Sequence, residues 1–233
     1  MKHWYRTCIC YALIIIATLC IAFGSGSAVS AFSQSRPIPR DAHIIIDPGH
    51  GGIDGGAVSV SGKYESSFNL EIALRVNDLF ALLGYDTTMI RTTDISVYTN
   101  GTAISEKKIS DLKERVRITN SIPNAILVSI HQNTFSDGRY KGTQIFYAHD
   151  AYSKALAEHM QHNISASLQK DNKRSAKKCS GVYLMEHIQC PGILIECGFI
   201  SNLQEENLLR QEAYQKKLSA VIVCSLASFL SNT

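Results

Sequence analysis

The sequence contains no internal repeat, which sets aside solenoids and other arrays. No CxxC pair occurs among its seven cysteines, so a cysteine-held zinc is not indicated. An excess of one charge is lacking too. With Lys2 and Arg6 set aside as part of a targeting segment, 21 basic residues face 20 acidic ones. A near-neutral domain has no concentrated basic surface, and nucleic acid is not an expected partner. At 45% apolar and 18% charged, the composition is that of a globular protein rather than a disordered one. Its 233 residues suffice for one domain with a substantial core.

The one long apolar run, residues 8–23, follows Lys2, His3 and Arg6 and precedes the small residues of 24–31. A basic start, an apolar stretch and a small-residue exit form an export signal, either cleaved after Ser30 or Ala31 or kept as a membrane anchor. In both cases the basic end stays inside and the rest is exported. Residues 1–31 are read as this signal or anchor, 32–42 as a linker and 43–233 as one domain. Export permits a disulfide among Cys179, Cys190, Cys197 and Cys224; buried free thiols are the alternative.

Within the domain, short β-type runs alternate with helical stretches. Strands are expected at 44–46, 85–90, 125–130, 143–147, 182–185 and 192–195. Residues 65–83 read as a helix, with Phe68, Ile72, Val76, Leu79, Phe80 and Leu83 at steps of three and four and Gly84 at its end. Further helices are expected at 106–121, from a cap at Asp150 to about Leu168, and at 211–230. Residues 95–110 look least structured and read as a surface insertion. The alternation predicts an α/β fold: a single three-layer domain whose central, mostly parallel twisted sheet is flanked by helices.

Three apolar strands end alike. Ile44-Ile45-Ile46 runs into Asp47-Pro48-Gly49-His50-Gly51-Gly52, the run to Ile130 into His131-Gln132-Asn133, and Ile193-Leu194-Ile195 into Glu196. Sites in open α/β sheets form beyond the carboxyl ends of strands, so these groups are expected to converge. Glu65 opens the helix after the glycine-rich loop and is placed to reach back over it. A zinc hydrolase needs three protein ligands, a free position for water and a carboxylate off the metal. His50, Glu65 and His131 supply the first set and Glu196 the last.

Each residue also has a plainer reading. Either histidine alone is more often a hydrogen-bonded loop residue, and Glu65 alone complements a helix dipole. Glu196, following a strongly apolar run, requires a partner or a raised pKa. Asp47 either shapes its loop or orients a ligand histidine. Arg91 and Asp94 are expected to pair at a loop end. The basic residues within 172–178 read as a solvated loop. His43, His149, His159, His162 and His187 show no ligand spacing.

Four stretches then carry a resemblance: Asp-Pro-Gly-His-Gly-Gly at 47–52, Tyr-Glu-Ser-Ser-Phe-Asn-Leu at 64–70, Ser-Ile-His-Gln-Asn at 129–133 and Pro-Gly-Ile-Leu-Ile-Glu-Cys-Gly-Phe-Ile-Ser-Asn at 191–202. In this order they resemble the type 3 family of zinc-dependent N-acetylmuramoyl-L-alanine amidases, over essentially the whole domain. The resemblance implies one Zn2+ per chain held by His50, Glu65 and His131, Glu196 as catalytic carboxylate, and peptidoglycan as substrate. Ser66 stands where the family usually has lysine, and Gln132 where a small residue often follows the second histidine. Both are expected to alter substrate contacts near the metal.

The layout of membrane segment, single domain without wall-binding repeats and Gly-Val-Tyr-Leu-Met at 181–185 is similar to sporulation amidases. That similarity implies action on spore-cortex peptidoglycan outside the cytoplasmic membrane, in the forespore intermembrane space. It also implies an accessory protein and a partner deacetylase, whose combined product is muramic δ-lactam recognised at germination. The rival readings are a zinc peptidase or glycan deacetylase of the wall, and a membrane-tethered wall-binding module without turnover.

Overall fold

A computed structural model of the protein describes residues 42–232. The segment 1–31 read as signal or anchor lies outside the described residues, as does the linker up to residue 41. Among the described residues no helix is long and apolar enough to cross a membrane.

Six strands form one sheet: β1 (His43–Pro48), β2 (Thr87–Met89), β3 (Ala125–Asn133), β4 (Gln144–Tyr147), β5 (Lys177–Lys178) and β6 (Gly192–Phe199), in the order β2-β1-β3-β6-β4-β5. The pairs β2/β1, β1/β3, β3/β6 and β4/β5 are parallel, and β4 runs antiparallel to β6. Among the described residues four helices lie between strands, α1 (Glu65–Leu82), α2 (Ile104–Asn120), α3 (Ala151–Ser167) and α4 (Tyr183–His187), and two follow β6, α5 (Leu203–Leu209) and α6 (Glu212–Asn232). The central strands are apolar on both sides because both faces are covered. On one face α1, α3 and α6 pack together, burying Phe68, Ile72, Val76 and Phe80 of α1. On the other, Ile45, Leu127 and Leu194 lie beneath Leu184, Met185 and Ile188 of the α4 region, with α2 beside it.

The local signals explain most boundaries. α1 ends where Gly84 adopts φ 83°, a left-handed turn that glycine enters without steric cost. The Asp150 carboxylate accepts the Ser153 backbone N–H at 2.7 Å and starts α3.

Two expectations are corrected. Residues 182–185 form no strand; Tyr183–His187 is the short helix α4. A brief apolar run has no period to separate strand from helix, and Gly181 at φ 76° turns the chain so that Leu184 and Met185 bury against β1 and β3. Nor are residues 95–110 a loose insertion. From Ile104 they belong to α2, and Ser96 Oγ donates to the Gly51 carbonyl at 2.6 Å while Val97 N–H donates to Asp111 at 2.6 Å. The helix α5 was not anticipated, although the Asn202 side chain caps it by accepting from Gln204 and Glu205 N–H groups. The edge strand β5 falls within the basic run read as loop.

Asp150→Ala removes the cap of α3 and is expected to lower stability by about 1 kcal/mol. The readout is a shifted urea midpoint at unchanged m-value; an unshifted midpoint contradicts the cap's role.

Candidate metal centre

β1, β3 and β6 are neighbours and parallel, so their carboxyl ends open at the same sheet edge. His131 on β3 stands in register with Glu196 on β6, which places both side chains on one face. Asp47 and Ser129 share that face one step back, and β1 continues through Pro48 and Gly49 to His50. His50 has φ 60°, an uncommon left-handed conformation for a side-chain-bearing residue.

Two buried arginines hold this loop. Arg115 from α2 donates to the carbonyls of Pro48 (3.1 Å) and His50 (2.7 Å) and pairs with Asp47 and Asp111. Arg91 donates to the carbonyls of Pro48 (2.9 Å), Gly49 (3.0 Å), Ser66 (2.9 Å) and Thr93 (3.0 Å). The expected pairing of Arg91 with Asp94 is thus replaced by backbone carbonyls; Asp94 accepts the Gly52 N–H instead. Asp47, offered as either loop-shaping or histidine-orienting, shapes the loop: its oxygens go to Arg115 and to Ser129 Oγ at 2.7 Å. Burial disfavours its charge, but Arg115, His131 and the Ser129 hydroxyl together outweigh that and hold its pKa below the usual value.

Glu65, first residue of α1, reaches back across the loop as expected. Its carboxylate accepts the N–H groups of Ala57 (3.0 Å) and Gln132 (3.1 Å) and the Asn69 amide (3.3 Å). It lies 3.0 Å from His131 Nδ1 and 3.3 Å from His50 Nε2. The two imidazole rings sit edge to face with centroids 5.0 Å apart. Donor atoms of His50, Glu65 and His131 all fall within 4.8 Å of one another, close enough to hold one metal ion. Burial opposes the charge on Glu65, yet hydrogen bonds from both histidines drive its pKa far below the ordinary carboxylate range. Burial likewise opposes protonation of His50, but Glu65 and then Asp54 overcome it and raise its pKa to about 9.

Two glycines are required by this closeness. A Cβ on Gly49 would lie 2.2 Å from the His131 ring, and one on Gly56 would meet Glu65 Oε2 at 2.7 Å and the His50 ring at 2.8 Å.

Glu196 stands beside the cluster without joining it. Its Oε2 is buried and has no hydrogen-bond partner among the described residues. Desolvation raises its pKa to about 7, with the nearby His131 pulling the other way. A cavity of about 350 Å³ opens in front of these groups, between α2 and the α4 segment. Ser66 and Gln132 do not line it. They are 2% and 3% exposed and face inward, so the expectation that they alter substrate contacts is corrected.

The residues missed in the sequence are those supporting the cluster. Asp54 lies 2.9 Å from His50 Nδ1 and is itself held by Lys108 at 2.8 Å. Asn69 bridges Glu65 and the Gly49 carbonyl. Their positions four residues after His50 and four after Glu65 were a usable signal; Arg115 left none.

Two histidines, a carboxylate shared between them and a second carboxylate with one buried, unpartnered oxygen, gathered at the carboxyl edge of an open α/β sheet, have the form of a hydrolytic enzyme's centre. The chain belongs to the Amidase_3 family, described as N-acetylmuramoyl-L-alanine amidase, whose model matches residues 44–228. It is accordingly an amidase. It is 38% identical over 189 residues to the germination-specific N-acetylmuramoyl-L-alanine amidase of Bacillus subtilis (strain 168), covering 79% of this chain and 78% of that protein. Among solved structures it is similar to the CwlD amidase from Clostridioides difficile, determined in complex with the GerS lipoprotein. There the TM-score is 0.79 at 35% identity, over 82% of this chain and 99% of that one. An N-acetylmuramoyl-L-alanine amidase from Clostridium difficile 630 gives 0.71 at 29% identity, over 82% and 97%.

Asp54→Ala leaves His50 unoriented and is expected to weaken the affinity of this candidate centre for an added divalent metal by about 10–100-fold, read by chelator competition. An affinity equal to that of the unaltered protein would exclude this role for Asp54.

Proposed function

We propose that the chain is a zinc-dependent amidase of spore-cortex peptidoglycan, hydrolysing the bond between N-acetylmuramic acid and L-alanine outside the cytoplasmic membrane. The observation that carries this reading is the meeting of His50, Glu65 and His131 within 4.8 Å, with the partnerless Oε2 of Glu196 beside them. The donor set fits the metal. Two imidazoles and one carboxylate are a set used by zinc hydrolases that keep a position open for water. When bound, zinc supplies Lewis acidity, lowering the pKa of water toward about 7 and polarising a carbonyl.

The chain's own groups do the rest. Glu65 is fixed by three protein N–H donors, so the oxygens it offers the metal are positioned in advance. Asp54 sets the ring of His50. Glu196, whose pKa burial moves to about 7, takes the proton of the attacking water and returns it to the departing alanine nitrogen. The cavity between α2 and α4 admits the lactyl–alanine segment from solvent.

The Bacillus subtilis relative, germination-specific by name, supports the cortex assignment and a place in the cell wall. Cutting this amide frees the lactyl carboxylate but leaves the muramic amine acetylated. A deacetylase must therefore act as well before the δ-lactam closes. The GerS lipoprotein bound to the Clostridioides difficile amidase supports an accessory partner for this chain. Residues 1–31 serve as export signal or anchor in this reading, and 43–233 as the catalytic domain.

Two variants separate the roles. Glu196→Gln is expected to keep zinc, measured by elemental analysis, and to lose at least about 10²-fold in turnover; full activity would rule out Glu196 as the base. His131→Ala is expected to lose zinc and activity together, and full zinc occupancy would remove it from the ligand set.

A further inference from the structure

Most charged groups on the cavity wall are neutralised within the protein. Arg115 is taken by Asp47 and Asp111, and Asp54 by Lys108 and His50. Two are left without an ionic partner among the described residues: Glu196, assigned above, and Lys107 on the first turns of α2. Lys107 is half-buried, with Nζ 5.2 Å from the centroid of the Tyr98 ring. An aromatic face attracts a cation and fixes its direction without supplying a counter-charge. Its neighbour Lys108 is not available in this way, because its ammonium is bound to Asp54 at 2.8 Å.

The proposed substrate carries the missing anion on one side only. The lactyl carboxyl of muramic acid is the acyl half of the scissile amide, and the sugar amines are acetylated, so the adjacent glycan is uncharged. The stem peptide is different. Its second residue is a glutamate linked through the γ-carboxyl, which leaves an α-carboxylate one residue beyond the bond that is cut.

We propose that Lys107 is a specificity residue that pairs with this free carboxylate and so selects stem peptides whose second residue is the acid over those in which it is amidated. The inference rests on the amidase reading. It gives adjacent lysines separate tasks: Lys108 supports the His50 side of the metal centre through Asp54, and Lys107 reads the peptide.

The test uses the zinc-loaded full chain in detergent and two muropeptides that differ in one group, N-acetylmuramoyl-L-alanyl-D-isoglutamate and its D-isoglutamine counterpart. The unaltered protein is expected to show kcat/KM about tenfold higher for the acid, mainly through KM, as one charge-assisted hydrogen bond provides. Lys107→Met is expected to bring that ratio to about one while zinc content is retained, and Lys107→Arg to restore most of it. Equal cleavage of both substrates by the unaltered protein overturns the proposal whatever either variant does, and so does an undiminished ratio in Lys107→Met. Cleavage of neither, with a partner-containing extract added as well, overturns the proposed function and this inference with it, a result distinct from equal cleavage.

Discussion

The grip of two buried guanidinium groups on three successive backbone carbonyls is the interaction on which the site depends. Arg91 from the loop after β2 and Arg115 from α2 reach the carbonyls of Pro48, Gly49 and His50, where the chain leaves β1. That segment needs the help. His50, Gly51 and Gly52 all have positive φ, and a histidine held there costs about 1–3 kcal/mol that the surroundings must offset. Asp47 completes the arrangement by neutralising Arg115 out of water's reach. Breaking such a pair on one side leaves a buried charge, at a cost of about 3–5 kcal/mol. A loop that would otherwise sample many conformations is thereby fixed on the sheet edge.

The chemistry follows from where that loop is fixed. It presents His50 to Glu65 across the opening of α1, while the β3/β6 register presents His131 and Glu196 together. The two carboxylates then sit in contrasting surroundings. Glu65 has five nitrogen neighbours and stays ionised; Glu196 has a buried oxygen with none and titrates near neutrality. Environments that drive two carboxyl groups apart support the proposed division of tasks, one to hold a cation and the other to move a proton. The same face carries the cavity, because α2 and α4 cover the sheet up to its edge and leave the ends of β1, β3 and β6 open.

How much of this was legible depended on whether the signal was local. The apolar strands leading into Asp47, His131 and Glu196 were readable because each polar residue interrupts an apolar run, although β3 continues to Asn133 and β6 to Phe199. The helix α1 was readable from Phe68, Ile72, Val76 and Phe80, which recur every four residues. The convergence of His50, His131 and Glu196 was inferred from the rule that parallel strands share a carboxyl edge, and that of Glu65 from its place at the opening of a helix; the structure brings His50, Glu65 and His131 together. The run 182–185 failed because four apolar residues have no period, and its helix is fixed by burial against Ile45 and Leu127. Arg115 was invisible as a loop anchor because its acceptors lie 65 to 68 residues away, and a charged helix gives no hint which arginine turns inward.

Hydrolysis of one particular amide at this centre is read directly by mass spectrometry of the products. Purified cortex-type peptidoglycan would be treated with the zinc-loaded full chain. The account requires free stem peptides beginning at L-alanine, with the muramic acid left peptide-free and still acetylated. Release of acetate with intact stems would contradict it in favour of a deacetylase. No release from either cortex or vegetative wall, with zinc bound and a partner-containing extract present, would point to a wall-binding module instead.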